Sequence, residues 1–192
     1  GSRSFYTIDQ PINHPDDLKG LKLRVMKSIT AMNMVKSLGG SPTPISWGEL
    51  YTALQSGVVD GAENNPPSFY TSHHYEVCKF FSLNEHTSIP DVLIISLKVW
   101  EKMSEQERAW LQQAADESVQ VERELWAESE RKSLEIVQQE GVTVVYPDKD
   151  PFIRKVEPLL ESYRGNKKIY DLINRIRAVA VSYTHLRAHE TV

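Results

Sequence analysis

The sequence predicts an α/β fold. Short extended stretches alternate with stretches of helical period, and the changes of period fall at capping residues, glycines and prolines. One much longer helical pattern, from Ser104 to Glu140, stands apart from these shorter units.

Leu21 to Met26 reads as a strand, with Leu23 and Val25 toward one side and Lys22 and Arg24 toward the other. Thr30 to Leu38 reads as a short helix closed by Gly39-Gly40. Pro42-Thr43-Pro44-Ile45 is too rich in proline for a central strand and suits an extended edge. Trp47 to Pro67, WGELYTALQSGVVDGAENNPP, is the most informative stretch. Ser46 and Glu49 have the spacing of a capping box; Leu50, Ala53 and Leu54 share one helical face, and Gly57 stops the helix. Val58 and Val59 are expected to begin a short buried strand, with Asp60-Gly61 turning the backbone at its end. Glu63, Asn64 and Asn65 then form a loop stiffened by Pro66 and Pro67, a natural place to read a ligand.

Ser68 to Lys79 reads as helical, with Phe69, Val77 and Phe80 packing inward. Val92 to Ser96 is a short apolar run expected to form a buried strand. The long helix opens on Ser104, again with capping-box spacing to Glu107, and ends before Gly141. Leu111, Ala115, Val119, Trp126, Leu134 and Val137 make its apolar stripe, and Glu128 can pair with Lys132. Val142 to Tyr146 reads as a strand and Pro151 to Ala178 as helical segments interrupted near Gly165. After Val179 the period stops.

Composition excludes several classes of function. Hydrophobic residues make 40% and charged residues 25%, as in ordinary globular chains. A net charge of -4 argues against a nucleic-acid surface, and no apolar run reaches the length of a membrane span. Cys78 is the only cysteine, so no internal disulfide forms. His73 and His74 are adjacent, so their side chains diverge, whereas metal ligation favours spacings such as i,i+4. Cys78 near histidines is not triad geometry, and nothing fixes the distances among Asp60, Glu63 and Glu85. No phosphate-cradling glycine loop appears. The expectation is a protein without catalysis, metal or cofactor.

The segments DDLKGLKLRV (Asp16 to Val25), Trp47 to Pro67 and NEHTS (Asn84 to Ser88) together resemble the solute-binding proteins of tripartite ATP-independent periplasmic (TRAP) transporters, over roughly residues 1 to 178. The resemblance implies a periplasmic-binding-protein-like fold of two α/β lobes with a long hinge-spanning helix, the first lobe largely missing here. Residues 1–89 are then the second lobe, 90–103 a strand and short helix returning to the first, and 104–141 the helix across both. Residues 142–180 supply a C-terminal strand and helices. Residues 181–192 resemble translated adapter sequence and are set aside as a non-native tail; Gly1-Ser2 reads as native or as vector-derived.

The same resemblance maps the family's carboxylate-binding arginine onto Arg24, its aromatic wall onto Trp47 and its ligand-binding asparagine onto Asn64. Read without it, Arg24 is a surface ion-pair residue, Trp47 a hydrophobic staple and Asn64 a turn residue. His86 falls at a position that supports the pocket. Arg3, in a G-x-R element one residue out of register with Arg24, and Asn65 in the Asn64 loop stay open between ligand contact and local structure. Arginine suits an acid because its planar fork gives two parallel hydrogen bonds and keeps its charge.

The implied function is extracytoplasmic capture of an organic acid anion and its delivery to membrane subunits driven by an ion gradient. The protein would be periplasmic and, when complete, monomeric; its signal peptide is not present in this chain. AENNPPS with the following YTSHHYEVCKFFSLNEHT resembles members that bind uronates; a C4-dicarboxylate, sialate-like or 2-oxo acid stays open. The alternative is an extracytoplasmic sensing domain of a signalling protein.

Overall fold

Two adjacent aromatic residues organise the molecule: Phe5 and Tyr6 point to opposite faces of a sheet, and each anchors a separate core. In the computed structural model, which describes residues 1–189 and side chains through Val179, six strands form one mixed sheet in the order β3-β2-β4-β1-β5-β6. These are β1 Ser2–Thr7, β2 Lys22–Val25, β3 Ser41–Pro44, β4 Gly61–Asn64, β5 Phe80–Ser88 and β6 Thr143–Val145. β2 runs parallel to both β3 and β4, whereas β1 is antiparallel to β4 and β5. The start of β1 therefore lies beside the end of β4, at the same edge of the sheet as the end of β2.

Helix α1, Ile29–Leu38, is capped by Ser28 and closed by Gly39 at φ 108°. It packs with α6, Asp150–Ser162, on the Phe5 face, over Leu18, Leu23, Val25 and Phe152. The opposite core holds Tyr6, Leu54, Val59, Ala62, Phe69 and Phe81 beneath α2, Leu50–Gln55, and α3, Pro66–Thr71. Proline-rich β3 is the edge strand, where its missing donors cost least. Helix α5, Glu105–Gln139, carries the expected capping box at Ser104 and Glu107 and the Glu128–Lys132 pair at 2.6 Å. It packs on α3 and buries Ser133 and Val137 near its C-terminal end. Leu111 and Val119, farther up its apolar stripe, remain exposed.

Several local expectations need correction. Ser46 does not cap a backbone amide; its hydroxyl meets the Glu49 carboxylate instead, and a 3-10 turn, Trp47–Glu49, precedes α2. Val58 and Val59 do not start a strand. The amides of Gly57 and Val58 close the end of α2 on Leu54 and Ala53 in a Schellman pattern, which uses up these residues. Gly61 is no turn residue but the first of β4, where an added Cβ would lie 2.4 Å from the Tyr6 carbonyl oxygen. Glu63 and Asn64 lie in β4 rather than in a loop.

The helix expected over Ser68 to Lys79 starts earlier, with Pro66 in its first turn, and ends at Thr71. His73 then turns at φ 58°, and a 3-10 turn covers His74–Glu76. Val92 to Ser96 is no strand: it pairs with nothing among the described residues and is exposed before the short α4, Leu97–Trp100. A strand needs a neighbour to satisfy its backbone. Helix α7, Lys167–His189, passes Val179, where the sequence pattern ends. The tail reading thus overlaps this helix, and residues 190–192 lie outside the described residues.

Candidate functional site

Arg24 is the starting point of the candidate site because alternation in β2 fixes where it points. Leu23 and Val25 enter the Phe5-side core, so Arg24 faces the other way, and it is only 3% exposed. Its Nε donates to the Ile45 carbonyl at 2.8 Å, while its buried Nη1 has no partner. Among the described residues no carboxylate pairs with it. Burial lowers its ordinary pKa, opposed by Tyr6 and Glu63. Trp47, at the start of the turn leading into α2, covers the guanidinium with its ring centroid 5.4 Å from Cζ.

A second cluster forms where β1, β4 and β5 meet. Arg3 donates from Nε and Nη2 to both Glu63 carboxylate oxygens, at 2.5 and 2.8 Å. Nη2 also reaches the Glu63 carbonyl and Nη1 the Asn64 Oδ1, each at 2.8 Å. Burial opposes ionisation of Glu63, yet hydrogen bonds from Arg3 and His86 hold its carboxyl below the ordinary range. A shift in the β1–β5 register between Arg3 and Phe5 brings His86 inward, stacked on Phe5 at 4.2 Å. His86 Nδ1 lies 3.0 Å from Asn84 Oδ1 and Nε2 3.6 Å from Glu63; burial lowers its pKa against the pull of Glu63.

Asn64 joins the clusters. Its Oδ1 accepts from Arg3 and from the Asn65 amide at 2.9 Å, which leaves the NH2 group for other work. Asn65 turns away to cap α3, accepting from the Ser68 amide at 2.8 Å. Arg24 pairs with Ala62, two residues before Asn64 on the same face of β4, and Trp47 follows β3, so all three stand toward the carboxyl ends of parallel strands, the usual ligand position in open α/β sheets. Arg3 and His86 stand behind them, through Glu63.

Sequence reasoning missed Glu63 as the partner of Arg3 and missed Tyr6 altogether, and it weighed His74 only as a metal ligand. The Tyr6 hydroxyl and His74 Nδ1 lie 2.9 Å apart across 68 residues of sequence, a contact with no local signature. The other candidates disperse. Asp60 accepts from the Lys22 amide and Glu85 pairs with Lys149, so neither shares a site with Glu63. Cys78 is buried, and burial pushes its thiol up, away from a reactive thiolate. Among the described residues no cluster of metal-binding side chains forms.

A family model described as bacterial extracellular solute-binding protein, family 7 (DctP) matches residues 1–166. A solute-binding protein of Chromohalobacter salexigens is 39% identical over 164 residues, covering 85% of this chain and 49% of its own. The sialic acid-binding periplasmic protein SiaP of Vibrio cholerae is 35% identical over 160 residues, covering 83% and 50%. The chain thus spans about half the length of the curated relatives it matches. Among solved structures, a TRAP periplasmic solute-binding protein of Chromohalobacter salexigens with bound D-glucuronate has TM-score 0.88 and 37% identity, covering 93% of this chain and 60% of that one. One from Xanthobacter autotrophicus with bound β-D-galacturonate has TM-score 0.83 and 44% identity, covering 93% and 59%. These relatives are substrate-binding transport proteins rather than enzymes, and none of them points to the sensing-domain alternative.

Proposed function

Because the chain belongs to the bacterial extracellular solute-binding proteins of family 7, the binding subunits of TRAP transporters, we propose that its site captures a hexuronate such as D-glucuronate or D-galacturonate in the periplasm for delivery to the membrane subunits. One observation carries this reading: Arg24 is buried, and among the described residues it lacks an ion-pair partner and keeps Nη1 free of any bond. A buried unpaired charge costs several kcal/mol, and a carboxylate relieves that cost. Each charge-assisted bond contributes roughly 1.5–3 kcal/mol. The half-exposed face of Trp47 suits a sugar ring, and the Asn64 NH2 group a hydroxyl or carboxylate oxygen. Arg3 and His86 act through Glu63, and Asn65 through the α3 cap, rather than on the ligand. The uronates bound in similar structures support the choice of acid. In the complete protein, the first lobe closing over the anion would select the form that docks on the transporter.

Thermal-shift titration tests the reading. D-Glucuronate and D-galacturonate raise the melting temperature, while D-glucose and D-galactose, lacking the carboxylate, do not. Equal stabilisation by the neutral sugars would overturn it.

A further inference from the structure

The imidazole of His74 lies between the core and the binding surface. Behind it, Nδ1 is bonded to the Tyr6 hydroxyl at 2.9 Å. In front, it meets the Trp47 indole edge-on, with ring centroids 5.1 Å apart and planes at 62°. Trp47 is itself 42% exposed, and Arg24 lies beneath it. The Trp47 carbonyl accepts from the Leu50 amide, but its indole makes no hydrogen bond among the described residues, so ring contacts set the indole's angle. We propose that His74 is a positioning residue of the acid anchor: held by Tyr6, it fixes the Trp47 indole over Arg24 and keeps the guanidinium oriented toward the ligand. This rests on the hexuronate reading only in the identity of the acid.

The backbone explains why the second of two adjacent histidines takes this part. His73 adopts the left-handed conformation at φ 58°, which turns its own side chain outward to pair with Glu76 at 3.3 Å. His74 opens the following 3-10 turn and is directed into the core, 2% exposed. Burial, and then the charge of Arg24, lowers its pKa to about 4, so at neutral pH an uncharged ring faces Trp47. An uncharged edge supports the indole without competing with the guanidinium beneath it. Tyr6 is suited to hold that ring because it is fully buried and fixed by Phe69 and Phe81.

Two variants separate positioning from simple core filling. His74→Asn keeps a hydrogen-bonding partner for the Tyr6 hydroxyl but removes the ring edge; His74→Phe keeps the edge and removes that partner. The readout is Trp47 fluorescence, taken as the difference from the matching Trp47→Phe protein, with acrylamide quenching and a D-glucuronate titration. His74→Asn shifts the Trp47 emission to the red, raises its quenching and weakens D-glucuronate by about tenfold. His74→Phe preserves the Trp47 signal and most of the affinity. Unchanged Trp47 emission in a folded His74→Asn protein would overturn the proposal. If that variant fails to fold, His74→Leu, which fills the core without a ring edge, decides: a red-shifted, more readily quenched Trp47 supports positioning, and an unchanged one refutes it. Should the Trp47 changes occur while the parent protein ignores D-glucuronate, the ligand is wrong and the positioning role stands.

Discussion

Arg3 and Glu63 form a nearly saturated buried pair: four guanidinium N–H bonds go to Glu63 and its neighbour, two of them to the Glu63 carboxylate and one to its carbonyl. The remaining one donates to Asn64 Oδ1, so the pair sets the direction in which the Asn64 NH2 group points. Breaking a buried pair from one side leaves an uncompensated charge. Glu63→Gln is therefore expected to lower the unfolding free energy by about 3–5 kcal/mol, whereas Arg3→Met with Glu63→Leu recovers most of it. Urea titrations of the single and double variants check this, and equal losses in both would contradict it.

Arg24 carries the opposite expectation, because its charge is unpaired in the ligand-free site. Arg24→Met raises the ligand-free melting temperature and abolishes binding of the acid. Arg24→Lys keeps the charge, loses the fork and weakens binding by about tenfold or more. Calorimetry that finds unchanged affinity in Arg24→Lys removes Arg24 from the site. A large fall in stability for Arg24→Met makes it a structural residue instead.

The alternation of β2 made legible only the side on which Arg24 stands, because Leu23 and Val25 flank it on the other face; its proposed ligand role came from the family resemblance. Both ends of α5 were legible through the Ser104–Glu107 box and the glycine at 141. Strand β1 was not: Arg3 through Thr7 are buried on both faces, so no alternation marks them. Strand β5 is broken by the register shift that brings His86 inward. Val58 and Val59 have strand propensity, but closing α2 took their amides. The Arg3–Glu63 and Tyr6–His74 contacts join residues 60 and 68 positions apart, and only the assembled sheet brings them together.

His74 also predicts a pH dependence with a definite sign. Its pKa falls from the ordinary 6.5 to about 4 on folding, so the native state holds it neutral while the unfolded chain takes up a proton near 6.5. Its contribution is complete above that value and is lost as pH falls from 6.5 toward 4. The loss amounts to roughly 3 kcal/mol. His74→Phe should flatten the stability curve between pH 6.5 and 4, measured by urea unfolding at each pH. An identical slope in parent and variant would assign the acid sensitivity elsewhere.

The segment before α4 predicts how the 192-residue chain behaves in solution. Val92, Leu93 and Ile94 are 73%, 78% and 83% exposed, in an extended stretch that pairs with no strand among the described residues. Trp110, Val121 and Leu125 on α5 are exposed as well. Covering one such aliphatic side chain is worth about 1.5–3 kcal/mol, and unpaired extended backbone adds a template for edge pairing. The chain is expected to self-associate at micromolar concentration through these residues, with Val92 to Ile94 leading because they offer both apolar surface and free amides. Replacing Val92 with Thr, Leu93 with Gln and Ile94 with Thr should lower the weight-average mass in sedimentation velocity. Far-ultraviolet circular dichroism should not change, because none of the three contributes to either core. Association undiminished in the triple variant would move the contact to the exposed face of α5.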